Sequence, residues 1–170
     1  MRKVRRKKIE SITYGLLKNY GFEKSGFDIE ELVKQLGILY SEKVLGKNVS
    51  GASAIHDDIK LIVVNSQHNP PRKRFSIAHE LGHLFLHPES LVNFSAQSVL
   101  YRDGVPSEKT DQLEIEANYF AACLLIPERL IIHEIGGRTE FDEEAIEILA
   151  RKFKVSQIVM SLRFISLGFV

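Results

Sequence analysis

Hydrophobic and polar residues follow two periods along the chain, one typical of helices and one typical of strands. Apolar residues recur at helical spacing through residues 9–19 and again through the stretch IEELVKQL, which Asp28 opens and Gly37 ends. Three short strand-like runs follow, ILYSEKV, GASAIH and KLIVVN, and two aspartates give a tight-turn signal between the last two. This pattern predicts two helices and then a small antiparallel three-stranded sheet.

Helical spacing dominates the second half of the chain. In NPPRKRFSIAHELGHLFLHP, Asn69 can cap a helix that Pro70 and Pro71 begin and Pro88 ends. A further helix is predicted through DQLEIEANYFAACLLIP, and the stretches EEAIEILARKF and SQIVMSLRFISLG predict a C-terminal helical hairpin. The mixed, Ser-rich segment 90–110 is long for a connector, and we expect it to be a mobile flap.

The order of these elements predicts an α+β fold. At 170 residues the chain has the length of one domain, so we expect a single domain over 1–170 that includes the helix-turn-helix-like helices of 141–170. A hydrophobic share of 44% with 26% charged residues is typical of soluble proteins, and no apolar run approaches the roughly 20 residues of a membrane span. The single cysteine, Cys123, and the lack of a signal-peptide pattern favour the cytoplasm.

Basic residues are concentrated at the N-terminus. Six of the 23 Lys and Arg residues lie within residues 1–8, so the other 17 face 22 acidic residues in the rest of the chain. We expect this basic segment to be frayed and solvated. Contact with a nucleic acid or an acidic partner is the alternative.

The stretch FSIAHELGHLFLH places two histidines in apolar company. His79 and His83 are four apart, so on a helix they share a face and can both bind one zinc ion. Glu80 lies beside them and can act as a general base towards a water molecule. A buried helix that merely carries histidine is the alternative. The longer HExxHxxGxxH pattern is absent, because Leu86 and Glu89 stand at its glycine and third histidine.

A catalytic zinc site needs a third protein ligand, and the helix EIEANYFAACLLIP offers one. Glu114 and Asn118 are four apart and share a face, and the alanines beside them let two helices approach closely. Glu114 is therefore the predicted third ligand, and Asn118 can accept the distal N–H of a histidine ligand and fix its orientation. Glu116 lies about 200° round the helix from Glu114, and we expect it to be a solvated surface carboxylate.

These two motifs, HELGH and EIEANYFAACLLIP, together resemble the ImmA/IrrE family of zinc metallo-endopeptidases. The likeness extends from FDIEELVKQLGI to the C-terminal helices, and the string ExEANxFAxxLLxP is much more specific than HExxH alone. The resemblance implies a minimal zincin-like fold in which a short antiparallel sheet lies beside two metal-ligand helices. It also implies that His79, His83 and Glu114 are the metal ligands and that Glu80 is the catalytic glutamate.

Members of this family are encoded by mobile elements and stress-response loci, and they inactivate helix-turn-helix repressors by site-specific cleavage. The resemblance therefore implies a zinc-dependent endopeptidase that cleaves such a repressor and derepresses genes. A substrate strand is expected to add to an edge of the sheet, with GASAIH as the candidate edge. Four side chains are candidates for stabilising the oxyanion, each with a structural role as the alternative: Tyr119, His56, His87 and His133.

Two other functions stay open at this point. The C-terminal helices have helix–turn–helix spacing, with Ser156 placed to cap the second, but they offer DNA no basic cluster around Arg163, so direct nucleic-acid binding is not expected. The other alternative is a non-catalytic repressor-binding module with a structural metal site, which the presence of Glu80 disfavours. Manganese can occupy the same ligand set as zinc. The sequence leaves the oligomeric state, the cleavage site and the activating signal open.

Overall fold

The computed structural model describes residues 4–91, 108–137 and 141–169, and it has the predicted α+β architecture. The elements before the first histidine motif are α1 (Arg6–Asn19), α2 (Ile29–Gln35), β1 (Leu39–Lys43), β2 (Gly51–His56) and β3 (Ile59–Asn65). The later elements are α3 (Pro70–Leu86), a short 3-10 turn (Pro88–Ser90), α4 (Glu108–Leu125), α5 (Glu128–Ile135), α6 (Glu143–Phe153) and α7 (Gln157–Leu167). The flap predicted at 90–110 falls outside the described residues over 92–107.

The sheet is mixed rather than wholly antiparallel, and its strand order is β1–β3–β2. β2 and β3 form the predicted antiparallel hairpin around Asp57 and Asp58, but β1 pairs with β3 in parallel. The reason lies in residues 44–50, which cross over the C-terminal end of β3. They carry the chain from β1 on one side of β3 to β2 on the other side. The buried side chain of Asn65 holds this crossover by donating a 3.0 Å hydrogen bond to the carbonyl oxygen of Val49.

Capping side chains begin the helices where the sequence predicts them. Asp28 accepts hydrogen bonds from two backbone N–H groups of α2, and Asn69 accepts one of 3.0 Å from Arg72 at the start of α3. Ser156 caps α7 in the same way, so the predicted C-terminal hairpin of α6 and α7 is present. Helix α5 was not predicted, although Pro127 before it and Gly136 after it, at φ 56°, are ordinary helix boundaries.

Helix α3 lies between the sheet and α4, and it packs against β2 and β3 as well as against α4. Gly82 makes the approach of α3 and α4 close, because a Cβ atom there would lie 3.0 Å from the Cα of Ala117. Helix α1 covers another side of α4. The buried Arg163 of α7 donates a 3.1 Å hydrogen bond to the carbonyl oxygen of Ile126, just beyond the end of α4. Among the described helices, none has both the length and the apolar character needed to cross a membrane.

Candidate metal centre

Three side chains from two packed helices converge where α3 crosses α4. The Nε2 atoms of His79 and His83 are 3.0 Å apart, as expected for residues one helical turn from each other. One carboxylate oxygen of Glu114 lies 3.1 Å from Nε2 of His79, and the other lies 3.4 Å from Nε2 of His83. Among the described residues, no other group of three His, Cys, Asp or Glu side chains is close enough to hold a metal ion.

The spacing of these atoms fits a small metal ion. Ligand atoms bound at about 2.0–2.1 Å in a tetrahedral site are about 3.3 Å apart, and the observed separations are 3.0 to 3.4 Å. The Nδ1 atom of His79 is 2.9 Å from Oδ1 of Asn118, an acceptor, so we assign the ring hydrogen of neutral His79 to Nδ1. In neutral His79 the Nε2 lone pair then faces the carboxylate of Glu114, an arrangement that requires a cation or a proton between them.

Electrostatics in this cluster agree with that need for positive charge. Burial lowers the pKa of His79, but the hydrogen bond to Glu114 and the negative charges of Glu80 and Glu114 outweigh it, so the pKa lies above its ordinary value. Hydrogen bonds with His79 and His83 hold the pKa of Glu114 well below its usual range. Glu114 is therefore ionised at neutral pH, and its negative charge favours a cation beside the two imidazole rings.

Glu80 lies beside this cluster and is held by the sheet. Its side chain is buried, and its Oε2 accepts a 2.6 Å hydrogen bond from the hydroxyl of Ser53 on β2. Gly51, two residues earlier on the same strand, leaves room for it, since a Cβ atom there would lie 3.3 Å from Cγ of Glu80. Neither Ser53 nor Gly51 was predicted as a site residue, because their contact with Glu80 depends on how β2 packs against α3.

Glu116 is buried, which corrects the prediction that it is a solvated surface carboxylate. Its side chain is 2% exposed and forms an ion pair of 2.6 Å with Arg5, so the N-terminal segment is docked at Arg5 and not frayed there. The hydrogen bond from Arg5 holds the pKa of Glu116 below its ordinary value. No local pattern indicates this pair, because its partners are 111 positions apart.

The four candidates for stabilising an oxyanion lie in different places. The hydroxyl of Tyr119 donates a hydrogen bond to Glu10 on α1, so it faces away from β2 and α3. His56 is exposed at the hairpin end of β2 beside Asp57, and His133 lies on α5. His87 continues the histidine face of α3 by one turn, with its ring centre 5.8 Å from that of His83, but its ring is buried. The cysteine, Cys123, is buried on α4.

Curated relatives of this chain include a phage protein and two bacterial metalloproteases. "Uncharacterized immunity region protein 2" of Bacillus phage phi105 is 34% identical over 87 residues, 51% of this chain and 51% of that protein. "Radiation response metalloprotease IrrE" of Deinococcus radiodurans is 33% identical over 104 residues, 61% of this chain and 30% of that protein. Its namesake in Deinococcus deserti is 32% identical over 143 residues, 83% of this chain and 48% of that protein. The chain thus spans about half or less of the length of these relatives.

A solved structure and a family model extend these similarities. The structure of a Mycobacterium tuberculosis transcriptional regulator superposes with a TM-score of 0.62 at 21% identity, over 91% of this chain and 45% of that one, which shows a shared fold. The model of the Peptidase M78 family, described as the IrrE N-terminal-like domain, matches residues 33–164 and so covers His79, His83 and Glu114. This chain belongs to the M78 peptidase family of IrrE N-terminal-like domains.

Proposed function

We propose that this chain is a zinc-dependent endopeptidase whose metal ligands are His79, His83 and Glu114. The observation that carries the proposal is the convergence of two imidazole nitrogens and one carboxylate at 3.0 to 3.4 Å, with the buried carboxylate of Glu80 beside them. Two histidines and one glutamate are a ligand set of catalytic zinc sites, which keep a position open for water or substrate. Manganese can occupy the same ligands, and metal analysis distinguishes the two.

Glu80 is the proposed general base. The chemistry that zinc supplies in such a site is Lewis acidity, which polarises a peptide carbonyl and makes water more acidic. Glu80 takes a proton from the attacking water and returns it to the nitrogen of the leaving amine. The hydrogen bond from Ser53 occupies one oxygen of Glu80 and fixes the carboxylate, while the other oxygen stays available for proton transfer.

The substrate is proposed to bind in an extended conformation along β2. Among the described residues this strand pairs with β3 on one side only, so half of its backbone N–H and C=O groups have no strand partner there. Ser53 on β2 contacts Glu80, so a peptide added to this edge lies next to the general base. Main-chain hydrogen bonds would then hold the peptide, with the scissile bond near the histidines of α3.

The proposed substrate is a helix-turn-helix transcriptional repressor in the cytoplasm, whose cleavage derepresses genes of a mobile element or a stress response. The support is the family likeness, together with relatives that are named for a phage immunity region and for a radiation response. We further propose that residues 1–170 act as one domain. Arg5, near the N-terminus, binds Glu116 on α4, and Arg163 on α7 binds the carbonyl oxygen of Ile126 just after α4.

The burial of Arg163 disfavours direct DNA binding as the function. It is the one basic residue of α7, and its guanidinium is turned inward to the carbonyl oxygen of Ile126. Three exposed apolar residues occupy the outer face of that helix instead: Ile158, Leu162 and Ile165. Such a face lacks the cationic groups that would meet phosphates.

Metal analysis and a cleavage assay test the proposal together. The purified protein is expected to contain about one zinc per chain, Glu114→Ala is expected to lose most of it, and Glu80→Gln is expected to keep it. Glu128 is exposed. Glu128→Ala is therefore the matched control for loss of a carboxylate, and this variant should retain zinc. With a candidate repressor, the wild-type protein should give fragments and Glu80→Gln should give none.

Each possible failure has its own meaning. Absence of zinc and manganese in the wild-type protein, after both have been supplied, overturns the metal site. Undiminished cleavage by Glu80→Gln overturns the assigned base. An intact repressor held in a stable complex, at full zinc occupancy, would support the non-catalytic binding module instead.

A further inference from the structure

Glu116 is a buried carboxylate that lies two residues from the proposed ligand Glu114 and has no part in the proposed reaction. The residue is 1% exposed, which is rare for glutamate unless its charge is paired. On the helix its side chain points about 200° away from that of Glu114, and therefore towards other neighbours. Those neighbours are the N-terminal segment and the end of α3.

Arg5 binds the carboxylate of Glu116 through both its guanidinium group and its backbone N–H. Its side-chain Nε lies 3.2 Å from both carboxylate oxygens, and its Nη2 lies 2.6 Å from Oε2. Its backbone N–H adds a bond of 3.3 Å to Oε1. Bidentate guanidinium–carboxylate pairs of this kind fix orientation as well as charge. Since Arg5 immediately precedes α1, this contact joins the start of α1 to α4.

His87 brings the end of α3 to the same carboxylate. It follows the last residue of α3, one turn after His83, and its Nε2 lies 3.7 Å from Oε2 of Glu116. The ring is 1% exposed, and Nε2 has no hydrogen-bond partner among the described residues. Glu116 on α4 is therefore in contact with both the N-terminal segment and the end of α3.

We propose that Arg5 and Glu116 are positioning residues for the metal centre and act by fixing α4 against the start of α1 and the end of α3. The inference rests on the proposed metal site and deepens it. The ligands come from different helices, so metal affinity depends on how precisely α4 presents Glu114 to His83. Without Arg5, the buried charge of Glu116 would lose its partner, and α4 would no longer be held against the start of α1 and could shift towards solvent. That shift would move Glu114, two residues away, relative to the histidines.

The experiment measures zinc affinity by chelator competition in the full chain, with the thermal unfolding midpoint of the metal-free protein recorded in parallel. Arg5→Ala is expected to weaken zinc binding by about tenfold, in the range seen when groups that orient metal ligands are removed. Arg5→Lys keeps the charge but loses the bidentate geometry, so its zinc affinity should lie between those of the wild-type protein and Arg5→Ala. Glu116→Gln removes the charge at nearly constant volume and should also weaken binding.

Arg6→Ala is the matched control. Arg6 lies next in sequence and also joins α1 to α4, but it does so by stacking over the ring of Tyr119, 5.4 Å from its centre. Its loss should lower the unfolding midpoint without changing zinc affinity. A cobalt-substituted sample adds a spectroscopic readout, since the visible absorption of Co²⁺ reports its ligand geometry. Arg5→Ala should alter that spectrum and Arg6→Ala should not.

Two outcomes overturn the inference, and they are distinguishable. Equal zinc affinity and an unchanged cobalt spectrum in Arg5→Ala and Arg5→Lys show that the ion pair serves stability only, while the metal site stands. The same losses in Arg6→Ala as in Arg5→Ala show a general loosening of α1, which also contradicts a specific positioning role. Failure of the wild-type protein to bind zinc overturns the proposed function itself.

Discussion

The hydroxyl of Ser53 donates a 2.6 Å hydrogen bond to Oε2 of Glu80, and both side chains are buried. The bond joins the edge strand β2 to the helix that carries both histidines, so the strand proposed to receive substrate also orients the proposed base. A hydrogen bond to a charged group contributes about 1.5–3 kcal/mol, and a buried carboxylate that loses such a bond pays a desolvation cost.

Replacement of Ser53 by alanine is expected to slow peptide cleavage while leaving the metal site intact. The free carboxylate of Glu80 can rotate away from the productive orientation, so kcat should fall by about tenfold to a hundredfold. Zinc content should stay near that of the wild-type protein. Ser41→Ala on β1, at the other edge of the sheet, is the control and should leave kcat unchanged. Loss of zinc in Ser53→Ala would show that Ser53 supports the metal cluster and not the base alone.

Asn118 is expected to control zinc affinity through the orientation of His79. Its Oδ1 lies 2.9 Å from Nδ1 of the imidazole and thereby directs Nε2 towards Glu114. Asn118→Leu removes the acceptor and should weaken zinc binding by about 10- to 100-fold. Asn118→Asp retains an acceptor oxygen at the same position and should stay much closer to the wild-type affinity. Chelator competition measures the zinc affinity of both variants. If Asn118→Leu bound zinc as tightly as the wild-type protein, the imidazole of His79 would be oriented by packing and not by Asn118.

Local periodicity predicted the described helices other than α5, and it supplied His79, His83 and Glu114 as candidate ligands. Residues four apart on a helix share a face whatever the tertiary structure is, so the first two were paired by α3 alone. Glu114 needed one further step, the close approach of α4, which small residues such as Ala117 made predictable. Spacing along the chain therefore predicts the two histidines directly, and it predicts Glu114 only together with helix packing.

Features that depend on distant parts of the chain were not predictable from spacing. The direction of β1 depends on the course of residues 44–50, since a strand pattern does not reveal its neighbour. The contact between Ser53 and Glu80 requires knowledge of how β2 packs. Glu116 looked like a surface carboxylate because nothing within its own helix reveals Arg5, 111 positions earlier. By contrast, α5 was missed although its boundary residues were present in the sequence.

Cys123 is expected to be inert in the folded protein and to report unfolding. Burial raises the pKa of its thiol from 9.0 to about 11, so very little thiolate exists at pH 8. Labelling with a thiol reagent at pH 8 should therefore be slow in native protein and rapid in denaturant. Rapid labelling of the native protein would contradict the buried position.

The same thiol gives a pH dependence of stability with a definite sign. Because the folded pKa is the higher one, the unfolded state loses its proton first as pH rises above 9. The free energy of unfolding should then fall by up to about 1.4 kcal/mol per pH unit between pH 9 and pH 11 from this group. Cys123→Ala should lack that component, which denaturant titrations at two pH values can measure. An identical pH slope in the variant would contradict the raised pKa.

Gly82 is expected to be essential for the approach of the two ligand helices. A Cβ atom at Gly82 would lie 3.0 Å from the Cα and 3.1 Å from the carbonyl oxygen of Ala117, and backbone atoms cannot move aside as a flexible side chain can. Gly82→Ala should therefore destabilise the fold by about 1–3 kcal/mol. Because the helices must separate at the level of Glu114, zinc affinity should fall as well.

Gly15→Ala in α1 provides the matched control for the same chemical change. A Cβ atom there meets no atom within 4 Å, so the substitution should stabilise the helix by about 0.5–1 kcal/mol and leave zinc affinity unchanged. Denaturant titration measures the stability of both variants, and chelator competition measures their zinc affinity. If Gly82→Ala were as stable as the wild-type protein and bound zinc equally well, the distance between α3 and α4 would not limit the geometry of the metal centre.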